Sequence, residues 1–170
     1  MFSRRQFLLA SGGLGVAALA IGVLPKFSMG SALISDARAA QVFEVTHSDS
    51  EWHSILSAEQ YEILREEGTE RAYSSALNNE HRDGTFACAG CDLPLFSSGT
   101  KFDSRTGWPS FWAPLEKAVA TRQDRSFGVL REEVHCRRCG GHLGHVFDDG
   151  PKPTGLRYCM NGLAMTFKPA

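Results

Sequence analysis

The chain has 170 residues and a formal net charge of −1, from 18 Lys and Arg against 19 Asp and Glu. Its basic residues are scattered, so this composition argues against binding to nucleic acid or to an anionic lipid surface, which both require clustered positive charge. The length allows one compact domain with a single hydrophobic core, and no second domain is expected.

The N-terminus carries the features of an export signal. Arg4 and Arg5 precede an uncharged apolar run over residues 8–24, and an A-x-A cleavage pattern ends at Ala39. The segment S-R-R-Q-F-L is typical of twin-arginine signals. A retained membrane anchor and an ordinary secretory signal are the alternatives.

We therefore predict a cleaved signal over residues 1–39, a periplasmic location and one mature domain over residues 40–170. The signal contains four of the 18 basic residues and one of the 19 acidic residues, which leaves 14 against 18, a net charge of about −4. We expect the mature protein to be a monomer that binds no nucleic acid and has no stable membrane association.

The first predicted element of the mature domain is a helix over residues 58–67. Ser57 and Gln60 are spaced as a capping box at its start, and Gly68 is the expected stop. Residues 69–84 lack sustained periodicity and are predicted to be mostly loop, with room for a second short helix.

Beyond residue 84 the sequence consists of short apolar or aromatic runs separated by Gly, Pro and Asp, a pattern typical of antiparallel strands. The runs lie at residues 85–87, 93–96, 111–112, 118–120, 127–134, 143–147 and 156–167. The predicted fold is therefore mainly β, an antiparallel sheet or barrel-like domain behind a short N-terminal helical segment.

Four of the five cysteines form two C-x-x-C motifs, Cys88 with Cys91 and Cys136 with Cys139. Four thiolates suit the tetrahedral preference of structural zinc, so we predict one zinc ion that staples the β domain. The competing interpretation is a pair of redox-active dithiols, as in thioredoxin-like proteins. Zinc is favoured because no βαβ pattern surrounds either motif.

The fifth cysteine, Cys159, stands alone in R-Y-C-M-N. Strand alternation places Arg157, Cys159 and Asn161 on one face, where a cation, a thiol and an amide share a surface. Arg157 is expected to favour the thiolate of Cys159. A buried structural cysteine is the alternative, and the polar neighbours argue against it.

Two further groups of residues are candidates for the same site. His142 and His145 follow the second C-x-x-C motif closely, and imidazoles are suited to proton transfer near neutral pH. Extra zinc ligands or surface histidines are the alternatives for them. In T-G-W-P-S-F-W, Trp108 is predicted to form a pocket wall and Phe111 to lie in the core.

Four motifs together carry a family resemblance: G-T-F-A-C-A-G-C-D-L-P-L-F, K-F-D-S-x-x-G-W-P-S-F, H-C-x-x-C-G-G-H-L-G-H-V-F-D-D-G and R-Y-C-M-N-G. Over residues 50–168 the chain resembles the B-type methionine sulfoxide reductases. The resemblance implies a zinc-stapled β fold and reduction of the R epimer of methionine sulfoxide, mainly within oxidised proteins.

The resemblance also implies a role for each matching residue. Cys159 is implied as the nucleophile that attacks the sulfoxide sulfur and becomes a sulfenic acid. His145, with His142 and Asn161, is implied to position and protonate the sulfoxide oxygen.

Three more roles follow from the same resemblance. Arg157 is implied to favour the thiolate. Trp108 is implied as the apolar wall that receives the substrate methyl, and Phe147 as a second substrate-binding residue.

The chain departs from the family pattern at one position. Many members carry a resolving cysteine in K-F-D-S-x-C-G-W-P-S, where this chain has Thr106. The remaining cysteines are assigned to the metal clamp, so we predict that an external thiol, a thioredoxin-like protein or else a small-molecule thiol, reduces Cys159. A periplasmic thiol-disulfide oxidoreductase and a noncatalytic zinc-binding interaction module are the alternative functions.

Overall fold

The computed structural model describes residues 42–170, and the predicted signal over residues 1–39 lies outside this part. Within it no helix has the length and apolar character needed to cross a lipid bilayer. The helices are α1, Asp49–Ile55, and α2, Ala58–Glu66. The strands are β1, Gly84–Cys88; β2, Pro94–Ser97; β3, Lys101–Phe102; β4, Ser110–Phe111; β5, Val119–Asp124; β6, Arg131–Cys136; β7, His142–Phe147; β8, Arg157–Met160; and β9, Met165–Pro169.

The predicted helix is confirmed as α2, including its capping box. The Ser57 hydroxyl accepts a hydrogen bond from the backbone N–H of Gln60, whose side chain in turn accepts from the Ser57 backbone N–H. The helix ends at Glu66 because Glu67, rather than Gly68, adopts the left-handed conformation that closes it, with a φ of 58°.

The sequence prediction missed α1. This helix has only seven residues and begins with its own capping box, formed by Ser48 and Glu51. Its polar composition hides the helical period, since the single fully buried side chain along it is Trp52. In the predicted loop, the second short helix is a 3-10 turn over Ala76–Asn79.

The nine strands of residues 42–170 form two antiparallel sheets, which confirms the mainly β prediction. The three-stranded sheet has the order β2-β1-β9, and the six-stranded sheet has the order β3-β4-β8-β7-β6-β5. Helix α2 packs against β7 and against a 3-10 turn at Gly162–Ala164. Helix α2 therefore covers part of the larger sheet, and α1 packs against α2.

Aromatic packing joins the two sheets. The ring of Phe111, on β4, stacks on Phe96 from β2 with 4.3 Å between centroids, and meets Phe86 from β1 edge-on at 5.0 Å. All three side chains are fully buried. The predicted core position of Phe111 is confirmed, and such ring pairs add about 0.5–1.5 kcal/mol beyond the area that they bury.

The strand order places Cys159 in the middle of the larger sheet. It lies on β8, opposite Ser110 of β4 on one side and opposite His145 of β7 on the other. Next to this pair, Gly144 approaches the β8 backbone so closely that an added Cβ would clash with the carbonyl oxygen of Cys159. Only glycine allows β7 and β8 to pair at this point.

We expect Gly144→Ala to lower the free energy of unfolding by about 1–3 kcal/mol, because the added methyl forces β7 away from β8. Gly99→Ala is the matched control, since the nearest atom to its added Cβ is the Ser97 Oγ at 3.6 Å. Urea unfolding of both variants measures the effect. Equal stability of the two variants would contradict the close approach at Gly144.

Candidate active site and metal centre

The four paired cysteines meet at one point. Their Sγ atoms all lie within 4.8 Å of one another, with 3.7 Å between Cys88 and Cys139 and 3.5 Å between Cys91 and Cys136. None of them forms a disulfide. Four sulfurs at about 2.3 Å from a tetrahedral zinc ion lie about 3.8 Å apart, so the cluster fits zinc.

The backbone builds this cluster through two similar turns. The amide of Asp92 donates to the Cys88 carbonyl oxygen, and the amide of Gly140 donates to that of Cys136. Asp92 and Gly140 both adopt a left-handed φ, of 60° and 70°. Cys88 ends β1 in one sheet and Cys136 ends β6 in the other, so a bound metal would link the two sheets.

A separate pocket of about 130 Å³ contains the fifth thiol. Its lining residues are Thr69, Trp108, Arg131, Gly144, His145, Phe147, Cys159 and Asn161. Five of these were predicted as site residues from the sequence. A larger groove of about 570 Å³ beside α2 has neither a cysteine nor a histidine among its lining residues.

His145 is held by a carboxylate. Its Nε2 lies 2.8 Å from Asp124 Oδ2, which also accepts from Arg131 Nη2 at 2.7 Å. Because the carboxylate accepts, Nε2 carries the proton and Nδ1 is left to exchange a proton with a ligand. Burial lowers the pKa of His145, although the hydrogen bond with Asp124 opposes this effect.

His142 does not line the pocket. Its side chain is only 3% exposed, and its Nδ1 lies 2.8 Å from Glu133 Oε1. Burial raises the pKa of Glu133, but hydrogen bonds with His142 and Arg122 outweigh burial and lower it overall. The ring of His142 meets His145 edge-on at 5.4 Å, so it supports the pocket histidine from behind.

Asn161 lines the pocket, and both the oxygen and the nitrogen of its side-chain amide form hydrogen bonds. Its Oδ1 accepts from the backbone N–H of Glu70 at 3.1 Å, and its Nδ2 donates to the Leu143 carbonyl oxygen at 3.2 Å. The side chain is 3% exposed. These contacts hold Asn161 in one orientation.

Arg157 lies beside the pocket and is not among its lining residues. Its guanidinium forms two hydrogen bonds of 2.8 Å with Asp149, and it stacks over the ring of Phe147 at 4.4 Å. The bonds with Asp149 raise the pKa of Arg157, and the charge of Cys159 adds to this effect. Arg157 therefore both supports a pocket wall and presents positive charge to the thiol.

The position of the expected resolving cysteine is adjacent to the thiol. Thr106 Oγ1 lies 3.7 Å from Cys159 Sγ. A hydroxyl therefore occupies the place from which a second thiol could reach Cys159.

Comparison with known protein families shows that residues 56–169, which include the pocket and the four-cysteine cluster, match the SelR domain. The chain belongs to the SelR domain family. It is 55% identical over 120 residues to a protein of Pseudomonas putida (strain W619) named peptide methionine sulfoxide reductase MsrB, an alignment that covers 70% of this chain and 90% of the relative. Proteins with the same name from Leptospira interrogans and Agrobacterium fabrum are 51% and 52% identical over 127 residues, 74% of this chain and 97% and 94% of theirs. The family resemblance drawn from the motifs is thus confirmed.

The sequence prediction missed several residues that organise this SelR-family pocket. Asp124 and Arg131 face each other across the β5-β6 hairpin, and their opposite charges are an attractive cross-strand pair. The sequence prediction placed Arg131 inside the apolar run at 127–134 and did not pair it with Asp124. Thr69 lies in the stretch that was predicted as loop. No local pattern marks it, because its role depends on distant strands.

Glu70 is the most connected of the missed residues. Its carboxylate accepts from the backbone N–H groups of Gly162 and Leu163, at 2.6 and 3.0 Å. Its carbonyl oxygen accepts from Trp108 Nε1 at 3.1 Å, and its own N–H donates to Asn161. One residue thus ties together two walls of the pocket and the turn that follows β8.

We expect Asp124→Asn to lower the pKa of His145 further, because the carboxylate favours the protonated ring and the nearby Arg131 opposes it. A histidine-selective NMR titration measures the change, with the exposed His81 as internal reference. A raised or unchanged pKa of His145 in this variant would mean that Asp124 does not control its protonation.

Proposed function

We propose that this protein reduces the R epimer of methionine sulfoxide, mainly in oxidised proteins, with Cys159 as the nucleophile. The main support is one pocket that holds the free thiol of Cys159 together with His145 and with the apolar faces of Trp108 and Phe147. A sulfoxide needs these groups, since it combines a polar S–O bond with a small apolar methyl. The names of the SelR-family relatives point to the same chemistry.

In the proposed reaction the Cys159 thiolate attacks the sulfoxide and receives its oxygen atom. The substrate sulfur gains two electrons and becomes a thioether, while Cys159 loses two electrons and becomes a sulfenic acid. His145 protonates the oxygen as negative charge develops on it. The lowered pKa of His145 makes its protonated ring a stronger acid for this step.

The pocket dimensions support a methionine side chain as the bound group. About 130 Å³ between two aromatic rings accommodates the end of such a side chain, and the rest of the substrate stays outside. Trp108 is held by its Nε1 bond to Glu70 and Phe147 by its stack with Arg157. Both walls are therefore fixed before the substrate arrives.

We further propose that an external thiol reduces the sulfenic acid. Thr106 lies beside Cys159 in place of a second cysteine, and the other four thiols are gathered in the separate cluster. A thioredoxin-like protein is the proposed donor. The donor would act on this protein in the periplasm, the location predicted from the twin-arginine signal over residues 1–39.

The third part of the proposal is that the four-cysteine cluster holds one structural zinc ion. Zinc thiolates close the coordination shell, so the ion takes no part in the reaction and instead stabilises the junction between the sheets. Structural zinc contributes about 10–16 kcal/mol in small zinc peptides, enough to decide whether a domain of this size folds.

We expect Cys159→Ser to abolish methionine sulfoxide reduction, by at least about a thousandfold, because a serine hydroxyl cannot accept the oxygen atom. Thermal unfolding and zinc content are expected to stay unchanged. Mass spectrometry of the wild-type protein after one turnover without reductant is expected to show one added oxygen on Cys159. An intramolecular disulfide there would contradict the external-thiol step. Full activity in the variant would exclude Cys159 as the nucleophile, and a lack of sulfoxide reduction in both the wild-type protein and the variant would favour a noncatalytic zinc module.

We expect Cys139→Ser to lose bound zinc and to be largely unfolded, because one of four ligands is removed. Metal analysis by plasma mass spectrometry and circular dichroism measure both effects, and Cys159→Ser is the matched control. A folded, zinc-free wild-type protein with dithiol activity that depends on Cys136 would support the thiol-disulfide oxidoreductase instead.

A further inference from the structure

Three hydroxyls lead away from the pocket thiol in an unbroken chain. Thr106 Oγ1 lies 3.7 Å from Cys159 Sγ and 2.8 Å from Ser104 Oγ. Ser104 Oγ lies 2.7 Å from Ser110 Oγ, which lies 3.1 Å from the carbonyl oxygen of Trp108. Ser110 is fully buried and pairs with Cys159 across β4 and β8, whereas Ser104 and Thr106 are half-buried in the segment that connects β3 to β4.

The number of hydroxyl protons determines which group donates and which accepts along these three residues. A carbonyl oxygen only accepts, so Ser110 donates its single proton to Trp108 and must accept from Ser104. Ser104 has then used its proton and accepts from Thr106. Thr106 in turn can only accept from sulfur, which fits a protonated thiol, S–H, at Cys159.

A thiolate requires the opposite direction, because a charged sulfur has no proton to donate. Thr106 then turns its hydroxyl toward the sulfur, Ser104 turns toward Thr106, and Ser110 turns toward Ser104. The carbonyl oxygen of Trp108 gives up its donor. The S–H bond gives its proton to solvent water in the pocket, no O–H bond breaks, and only the three hydroxyl torsions change.

We propose that the hydroxyls of Thr106, Ser104 and Ser110 form a reversible donor chain that stabilises the thiolate of Cys159. Thr106 is the contacting group, and the two serines are positioning residues that set its direction. A hydrogen bond to a charged sulfur is stronger than one between neutral groups, and successive hydroxyls polarise one another. The chain therefore stabilises the thiolate more than it stabilises the thiol.

Other charged groups around the sulfur act in addition to this chain. From β8 itself, Arg157 presents positive charge and is paired with Asp149. From β7 and the β5-β6 hairpin come His145, with its partner Asp124, and Arg131. All of these remain in place when a hydroxyl is removed, so their contribution cancels in a comparison of variants at positions 104 and 106.

The proposal rests on the proposed function, but its test does not use sulfoxide reduction. We expect Thr106→Val to move the midpoint of the pH profile for alkylation of Cys159 by iodoacetamide upward by about one unit, or about 1.4 kcal/mol. At any pH well below both midpoints the alkylation rate is then about tenfold lower. Peptide mass spectrometry follows Cys159 separately from the other four cysteines.

Three further variants make the test specific. Thr106→Ser keeps the hydroxyl and is expected to keep the wild-type midpoint. Ser104→Ala is expected to raise the midpoint by less than Thr106→Val, because Thr106 remains but loses polarisation by its neighbour. Thr121→Val is the matched surface control, since its hydroxyl bonds only to Glu132 on the exposed face of β5, and no change is expected.

An unchanged midpoint in Thr106→Val would overturn the proposal. So would an equal rise in Thr106→Ser, which would assign the effect to side-chain size instead of hydrogen bonding. If Thr106→Val does not fold, Ser104→Ala tests the proposal in its place. A midpoint at or below the wild-type value in that variant would show that the hydroxyl chain does not stabilise the thiolate. If the variants shift the alkylation midpoint as expected but the wild-type protein does not reduce methionine sulfoxide, the proposed function is contradicted and the donor chain is not.

Discussion

The convergence of four thiols is the constraint on which the rest of the domain depends. Cys88 ends a strand of the small sheet and Cys136 ends a strand of the large sheet, and their sulfurs lie within 4.8 Å of one another. Strand β7 begins three residues after Cys139, so the cluster determines where His145 stands. A metal at this point would hold the sheets in register while the reacting groups lie elsewhere, which separates stability from chemistry.

The pocket itself is rigid because buried polar groups hold its walls. Glu70 bonds to Trp108, Asn161 and the turn at Gly162–Ala164, while Asp124 fixes His145 in one tautomer. Glu70 and Asn161 are buried and hydrogen-bonded, so a displaced wall would leave their polar groups unsatisfied at a cost of about 1–3 kcal/mol apiece. The geometry that receives a ligand is thus set before binding.

Two kinds of polar group surround Cys159. Charges lie on its β7 and β8 side, and neutral hydroxyls lie on its β4 side, beyond Thr106. A second cysteine at position 106 would provide an internal disulfide partner, and a hydroxyl provides hydrogen bonding instead. Position 106 therefore links the two proposals made for Cys159, the hydroxyl donor chain and the reduction by an external thiol.

Local patterns in the sequence determined the capped helix α2, the antiparallel strands, the family and the division of the five cysteines into four and one. These features depend on neighbouring residues or on short motifs, which a linear reading contains. The tertiary structure alone decided that His142 supports His145 from behind instead of facing the pocket, and that Glu70 and Thr69 belong to the site. Their partners lie far away along the chain, 91 residues for Glu70 and Asn161, and only strand order and register bring such residues together.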